Sequence, residues 1–477
     1  MPVRVAVLGS GYVGLVSGSC LAAQGNSVIC VDMKPEVIAS LNKGVPHFYE
    51  PELSDLLASV RASGSFRATS SLSEALANSD MVLIAVGTPS EGGRMDLTQM
   101  RAAVEAVGRE LRNQAHFVSV VVKSTVLPGT TDTLVRKWLE DASGMQLGEF
   151  GLGMNPEFLR EGRAVYDFMN ADRVVIGSED LKTRQCLETL YSPWKCEKLY
   201  VNTRTAEMIK YTNNCLLAIQ ISAANELANF AGALGGIDMT DVLEGVSLDR
   251  RWSPILEDGR RIRPDILSYL VPGCGFGGSC FPKDVQAIRS RGNEVNCDMQ
   301  LLDAVLDINS KQPGELVTLW TREEPELKGK KALVLGLAFK EETDDVRESP
   351  ARPIISSLLR QGVSVKAHDP VAMPNAQRAW TELDFECISD WRNALEDADA
   401  IFVITRWQEY RELAQYGSKP ALAGKVILDA RRLLSPDVFP NSTYLTIGRR
   451  AIQTDKHWTP SQVDEEHLSA PNVYGGK

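Results

Sequence analysis

Residues 3–32 constrain the fold more than any other stretch. Val3 to Leu8 is an apolar run broken only by Arg4, and it reads as a buried parallel strand. Gly9-Ser10-Gly11-Tyr12-Val13-Gly14 follows at once, LVSGSCLAAQG continues as a small-residue helix, and SVICVD makes a second strand ending at Asp32, 18 residues after Gly14. A G-x-G-x-x-G run between a strand and a helix, with an acid at that distance, predicts a dinucleotide-binding unit. Its backbone N–H groups meet a pyrophosphate at the helix N-terminus. Asp32 would accept hydrogen bonds from the adenosine ribose and disfavour a 2′-phosphate, so NAD is expected over NADP. Lys34 is placed over the adenosine side. Two more apolar runs, MVLIAVG and FVSVVV, end at the same sheet edge. They make Thr88 and Thr125 candidate cofactor contacts, with helix N-capping as a plainer and compatible role.

After Pro325 the pattern recurs in looser form: KKALVLG resembles VRVAVLG, SVKAHDP resembles SVICVD, and ADAIFVITRW resembles SDMVLIAVGTP. Leu337-Ala338-Phe339-Lys340 replaces the later glycines, so this half should not hold a second dinucleotide in the same way. Its strand ends carry Lys340, Arg347, Arg406, Arg431 and Arg432, cations that an anionic ligand would need in a chain of net charge −11. That charge argues against nucleic-acid or acidic-membrane partners. Nine cysteines without a C-x-x-C pair read as reduced thiols in a cytoplasmic protein, and no long uncharged apolar run suggests a membrane span.

Between the two sheets, residues 203–235 contain no proline and carry apolar residues at helical spacing up to Gly235-Gly236. Such a helix suits a linker and a dimer seam. The fold class expected is thus α/β, two doubly wound Rossmann-like domains joined by a central helical region with one long helix. The expected divisions are 1–200, 201–312 and 313–450, with a polar tail at 451–477.

Two stretches carry candidate chemistry. In Gly273-Cys274-Gly275-Phe276-Gly277-Gly278-Ser279-Cys280-Phe281-Pro282-Lys283-Asp284, glycines let the backbone approach a ligand, Pro282 stiffens the turn, and VQAI reads as the start of a helix. A helix N-terminus and a nearby cation favour thiolate, so Cys280 is a candidate nucleophile, against the bland reading of a buried structural thiol. In GLGMNPEFLREGR, Glu157 and Glu161 are four apart and would share a face on a helical turn, as either an acid–base pair or two surface acids. Lys210 and Asn214 sit one turn apart on the long helix, where a solvated polar face is the alternative.

These stretches together resemble the nucleotide-sugar 6-dehydrogenase family. The resemblance runs from about residue 3 to about 450 and rests on GSGYVG, VGTPS, KSTVLPGT, NPEFLREG, EMIKYTNN, GFGGSCFPKD, GLAFKEETDDVRESP and DARR. It implies oxidation of a sugar's C6 hydroxymethyl to a carboxylate with two NAD reduced. UDP-glucose is the expected substrate, GDP-mannose the alternative, and a single-hydride hydroxyacid dehydrogenase a more distant one. By this resemblance Cys280 would attack the intermediate aldehyde, Lys210 and Asn214 would stabilise oxyanions, Asp284 would handle protons or orient water, and Glu157 would serve hydrolysis. Thr125 and Glu161 would lie around water and cofactor. Gly9, Gly11, Tyr12, Val13, Gly14, Asp32, Lys34, Thr88, Lys283 and Arg347 would contact NAD. Phe158, Leu159, the loop from Tyr269 and Leu270 to Gly273, Gly277, Phe339, Lys340 and Arg431 would hold the nucleotide sugar. Arg261, with Arg260 and Arg263 as alternatives, would reach the sugar of a neighbouring subunit in a dimer or a multiple of it. No histidine falls in these motifs and no metal is implied.

Overall fold

A computed structural model of the chain describes residues 2–91 and 93–450, so the tail read at 451–477 lies outside the described residues. The first sheet holds β1 (Arg4–Leu8), β2 (Ser27–Val31), β3 (Phe66–Thr69), β4 (Met81–Ile84), β5 (Ser119–Val122), β6 (Gly151–Met154), β7 (Arg173–Ser178) and β8 (Glu197–Val201). Their spatial order is β8-β7-β6-β5-β4-β1-β2-β3, parallel throughout except where β7 runs against β6. The order reverses direction beside β1, where doubly wound sheets bind ligands. The unbroken apolar run of β1 has a direct cause. Val5 and Val7 pack into one core on one face of the sheet, and Ala6 and Leu8 into another on the opposite face. Burying each such large apolar side chain contributes about 1.5–3 kcal/mol.

The second sheet holds β9 (Lys331–Leu335), β10 (Ser364–His368), β11 (Glu386–Cys387), β12 (Ala400–Val403), β13 (Val426–Asp429) and β14 (Thr443–Leu445) in the order β11-β10-β9-β12-β13-β14, all parallel. The repeat is visible in detail. Gly9 and Gly336 follow the first strand of each sheet at φ +91 and +104°, and their N–H groups donate to Val31 O at 2.9 Å and His368 O at 2.8 Å. The loops then diverge. A Cβ on Gly11 would face open space at the N-terminus of α1 (Tyr12–Ala23), which has no side-chain cap. In the second sheet, the Leu337 and Ala338 N–H groups donate to the buried Asp369 carboxylate at 2.8 and 3.0 Å. Asp369 follows β10 as Asp32 follows β2, and it holds two loop N–H groups where Asp32 holds that of Ser10.

The central region is built on α2 (Thr203–Leu234), capped by Asn202 and ended by Gly235. It also contains α3 (Met239–Ser247), α4 (Phe281–Glu294) and α5 (Gln300–Glu323). The division expected at 312/313 falls inside α5. Gln312, Pro313 and Leu316 are all buried, so packing carries the helix through its proline. No helix among the described residues is long and apolar enough to cross a membrane.

Candidate active site

A cleft of about 740 Å³ opens where the three regions meet. One wall comes from the turn after β6. Asn155 to Arg160 form an irregular segment with no helical turn, contrary to the spacing argument. Glu157 and Glu161 consequently have separate surroundings. Glu157 is bonded by Lys210 Nζ at 2.9 Å, with both side chains buried, so Lys210 is not on a solvated face. Burial opposes charge on Glu157, yet Lys210, then the Leu159 N–H at 2.6 Å and then Lys123 hold its carboxyl below the usual carboxylate range. The Lys210 ammonium also lies over the Phe158 ring at 5.6 Å.

Glu161 accepts a hydrogen bond from Ser279 Oγ at 2.8 Å, and its second oxygen is buried without a partner. Burial, then the Asp345 carboxylate, pushes the Glu161 carboxyl up to about 7. Arg347 is 3.6 Å from Glu161 but spends its guanidinium on Asp345.

The thiol comes from the glycine loop. Four contacts pin that loop from different elements. Gly273 N–H donates to Asn225 on α2 at 2.8 Å, Phe276 N–H to Asn309 on α5 at 2.8 Å, and Gly278 N–H to Arg347 O at 3.0 Å. Arg431 reaches Gly275 O at 3.3 Å. Glycine is required at 277, where a Cβ would stand 2.1 Å from Glu348 O, and at 278, where φ is +83° and a Cβ would meet the Phe339 ring at 2.7 Å. Helix α4 begins at Phe281, earlier than VQAI suggested, because Pro282 in the first turn forfeits no hydrogen bond. Cys280 is therefore the N-cap residue itself. The expected thiolate is not favoured in this state. Burial pushes the Cys280 thiol up to about 11, with Lys210 opposing. Behind it, Asp284 is buried, accepts from Asn214 Nδ2 at 2.7 Å and pairs with Lys283 Nζ at 2.7 Å.

Tyr269, Gly277, Phe339, Lys340 and Arg431 line the cleft beside Cys280, as do Glu157 to Leu159, Lys210 and Asn214. Leu270 and Gly273 do not line it. Gly273 backs onto Ala430 O, where a Cβ would come within 2.4 Å. Arg261 also stands apart, its guanidinium donating to the Leu248 and Ser253 carbonyls at 2.8 and 2.9 Å. Arg263 pairs with Glu244, and Arg260 lies 3.8 Å from Asp258.

Toward the glycine loop of α1, Asp32 accepts from the Ser10 and Lys34 N–H groups at 3.1 and 3.0 Å, while the Lys34 side chain is exposed. Thr88 and Thr125 cap no helix. Thr88 Oγ1 donates to Thr125 O at 2.9 Å, tying two strand ends together. The open space over Gly11, at the N-terminus of α1 where no side chain caps the helix, fits a dinucleotide pyrophosphate.

Sequence reasoning passed over three residues. Buried Glu50 accepts from Tyr12 Oη at 2.6 Å and from the Gly162 and Ala164 N–H groups at 2.7 and 2.6 Å, joining the glycine loop to the turn after Glu161. Ser279 holds Glu161, and its place beside Cys280 was the available signal. Lys123 lies buried in the cleft wall, and its signal was a charge at the end of an apolar strand.

Comparison with known proteins agrees with this architecture. Profiles of the UDP-glucose/GDP-mannose dehydrogenase family match in order: the NAD binding domain at residues 3–195, the central domain at 204–311 and the UDP binding domain at 333–436. The chain is 38% identical over 469 residues to UDP-glucose 6-dehydrogenase TuaD of Bacillus subtilis, covering 97% of each. It is 36% identical to UDP-glucose 6-dehydrogenase AglM of Haloferax volcanii, covering 91% of this chain and 97% of that one. Among solved structures it resembles a UDP-glucose dehydrogenase from Pyrobaculum islandicum, with TM-score 0.84, 36% identity, and 94% and 98% of the two chains covered. It also resembles a UDP-D-ManNAc dehydrogenase from Pyrococcus horikoshii, with TM-score 0.79, 27% identity, and 94% and 100% covered. On the strength of three domain matches in order and near-full-length relatives, the chain belongs to the UDP-glucose/GDP-mannose dehydrogenase family.

Proposed function

We propose that this dehydrogenase oxidises the C6 hydroxymethyl of UDP-glucose to a carboxylate. What supports the reading most is the convergence in one cleft of the Cys280 thiol, the Lys210–Glu157 pair and the cations Lys340 and Arg431. The balanced reaction takes CH2OH, two NAD⁺ and water to COO⁻, two NADH and three protons. NAD, when bound on the Gly9–Gly14 loop, supplies the hydride-accepting chemistry for both oxidations.

The residues divide the remaining work. Cys280 Sγ bonds to the aldehyde carbon and keeps it from escaping. Its proton must leave as the bond forms, because burial holds it as a thiol. The Lys210 ammonium stabilises the oxygen that gains charge on the same carbon. Asn214, fixed by Asp284, offers a second donor. Glu157 orients and deprotonates the water that releases the acid from sulfur. Thr125 and Glu161 are assigned to the cofactor side, where Glu161 can hold a proton near neutrality. Lys283 and Arg347 are assigned to NAD, and they must first leave Asp284 and Asp345. Purified protein with UDP-glucose should yield two NADH per sugar acid. One NADH per substrate, or faster turnover of GDP-mannose or a UDP-N-acetylhexosamine, would overturn the reading.

The assembly reading is a dimer or a multiple of it, seated on α2. Met208, Leu216, Leu227, Phe230 and Leu234 on that helix are 46–62% exposed, more apolar surface than water tolerates cheaply. Light scattering should return at least twice the 52.3 kDa chain mass, and a fully active monomer would refute it. Nine free thiols fit work in a reducing cytoplasm.

A further inference from the structure

Lys123 follows β5 directly and lines the cleft at 2% exposure. Its Nζ donates to Asn155 Oδ1 at 2.8 Å, and Asn155 O and Tyr191 Oη are each 3.4 Å away. These partners are all neutral. Tyr191 Oη also donates to Asn155 Oδ1 at 2.6 Å, and Asn155 Nδ2 to Val175 O at 2.9 Å, so the head of the turn carrying Glu157 is fixed around this one ammonium. Burial lowers the Lys123 ammonium to about 8, with Glu157 opposing that shift and Lys210 adding to it. Glu157 therefore lies in the field of two ammonium groups, only one of which it bonds. The other ionisable groups in this field are Cys280 and Asp284, which act on Lys210 from α4 and the loop before it, Tyr191, and Tyr12, on which Glu157 acts.

The proposed function makes a demand that the Lys210–Glu157 pair alone cannot meet. When Lys210 turns to a substrate oxyanion, Glu157 loses its bonded counter-charge while still buried, and the Leu159 N–H at 2.6 Å is the bonded donor it keeps. An unpaired buried carboxylate tends to take up a proton. A protonated Glu157 could not accept a proton from water.

We propose that Lys123 is the positioning residue for Glu157: it fixes the Asn155-Pro156-Glu157 turn through Asn155 and keeps Glu157 ionised while Lys210 serves the substrate. The proposal rests on the catalytic roles of Lys210 and Glu157 in the proposed function.

The test compares kcat against pH for wild type, Lys123→Met, Lys123→Gln, Lys123→Arg and Glu157→Gln. Cofactor-induced fluorescence change and thermal melting verify that each variant folds. In both neutral variants the acid limb should move up by about one pH unit or more, the size of effect expected from losing a nearby opposite charge. Lys123→Arg should bring the limb back toward wild type. In Glu157→Gln the limb should vanish. If the limb vanishes in Glu157→Gln but stays in place in folded Lys123→Met and Lys123→Gln, the proposal is wrong and the function reading survives. If the limb persists in Glu157→Gln, the proposal falls together with the reading on which it rests. A pH-independent loss in the neutral variants would mark Lys123 as merely structural and overturn the proposal.

Discussion

Replacement of Cys280 by serine should lower formation of the sugar acid by on the order of a thousandfold or more. A buried thiol held up to about 11 is already a reluctant nucleophile, and it functions because sulfur attacks a carbonyl well once its proton leaves. A serine hydroxyl ionises far less readily. The variant should still bind NAD and the nucleotide sugar, since neither needs the sulfur for affinity. The first oxidation does not require the thiol, so the defect should concentrate in the second, with aldehyde or a stalled adduct appearing in product analysis. If Cys280 merely packs against its neighbours, turnover would remain near normal and only the melting temperature would change. Sugar acid produced at close to the wild-type rate would exclude Cys280 as the nucleophile, and the covalent route with it.

Lys210→Ala should damage the protein twice. Removing one member of a buried ion pair leaves Glu157 without its partner, a loss of about 3–5 kcal/mol in related cases. It also removes the donor to the developing oxyanion, which is worth on the order of a hundred- to a thousandfold in kcat. The double variant Lys210→Ala/Glu157→Gln separates the two effects. Without the carboxylate there is no orphaned charge, so much of the stability should return on denaturant melts while kcat stays low. A kcat in the double variant equal to that of Glu157→Gln alone would show that Lys210 serves only to neutralise Glu157.

The sequence made the scaffold legible wherever local pattern and burial agree. The glycine loop between two apolar runs at 3–32 and the spine helix at 203–235 with its apolar spacing and terminal Gly235 are local signals, so no tertiary knowledge was needed. The site was legible as a set of residue types but not as a set of environments. GFGGSC announced a thiol on a loop, yet its depth comes from Phe339, Glu348 and α5, elements distant in sequence. The helical spacing of Glu157 and Glu161 misled because the segment is irregular, with the Glu157 carboxylate taking the Leu159 N–H and Lys210. Arg261 looked available until the carbonyls of its own loop claimed it. Lys123 was invisible because a lysine at a strand end is ordinarily a solvated one, and only the fold closes water away from it.

The carboxylate of Asp369 bears on how the protein keeps its two ligands apart. Both carry a pyrophosphate, and both meet a sheet of the same topology with a left-handed glycine after its first strand. In the first sheet Asp32 takes the Ser10 N–H but leaves the N-terminus of α1, at Gly11, open to an incoming anion. In the second, Asp369 takes both the Leu337 and the Ala338 N–H, so a phosphate approaching those two amides meets a carboxylate in their place. Oxidised or spent cofactor thus finds no second glycine loop of that kind among the described residues. Inhibition by cofactor, where it occurs, should be competitive with NAD and not with the sugar nucleotide.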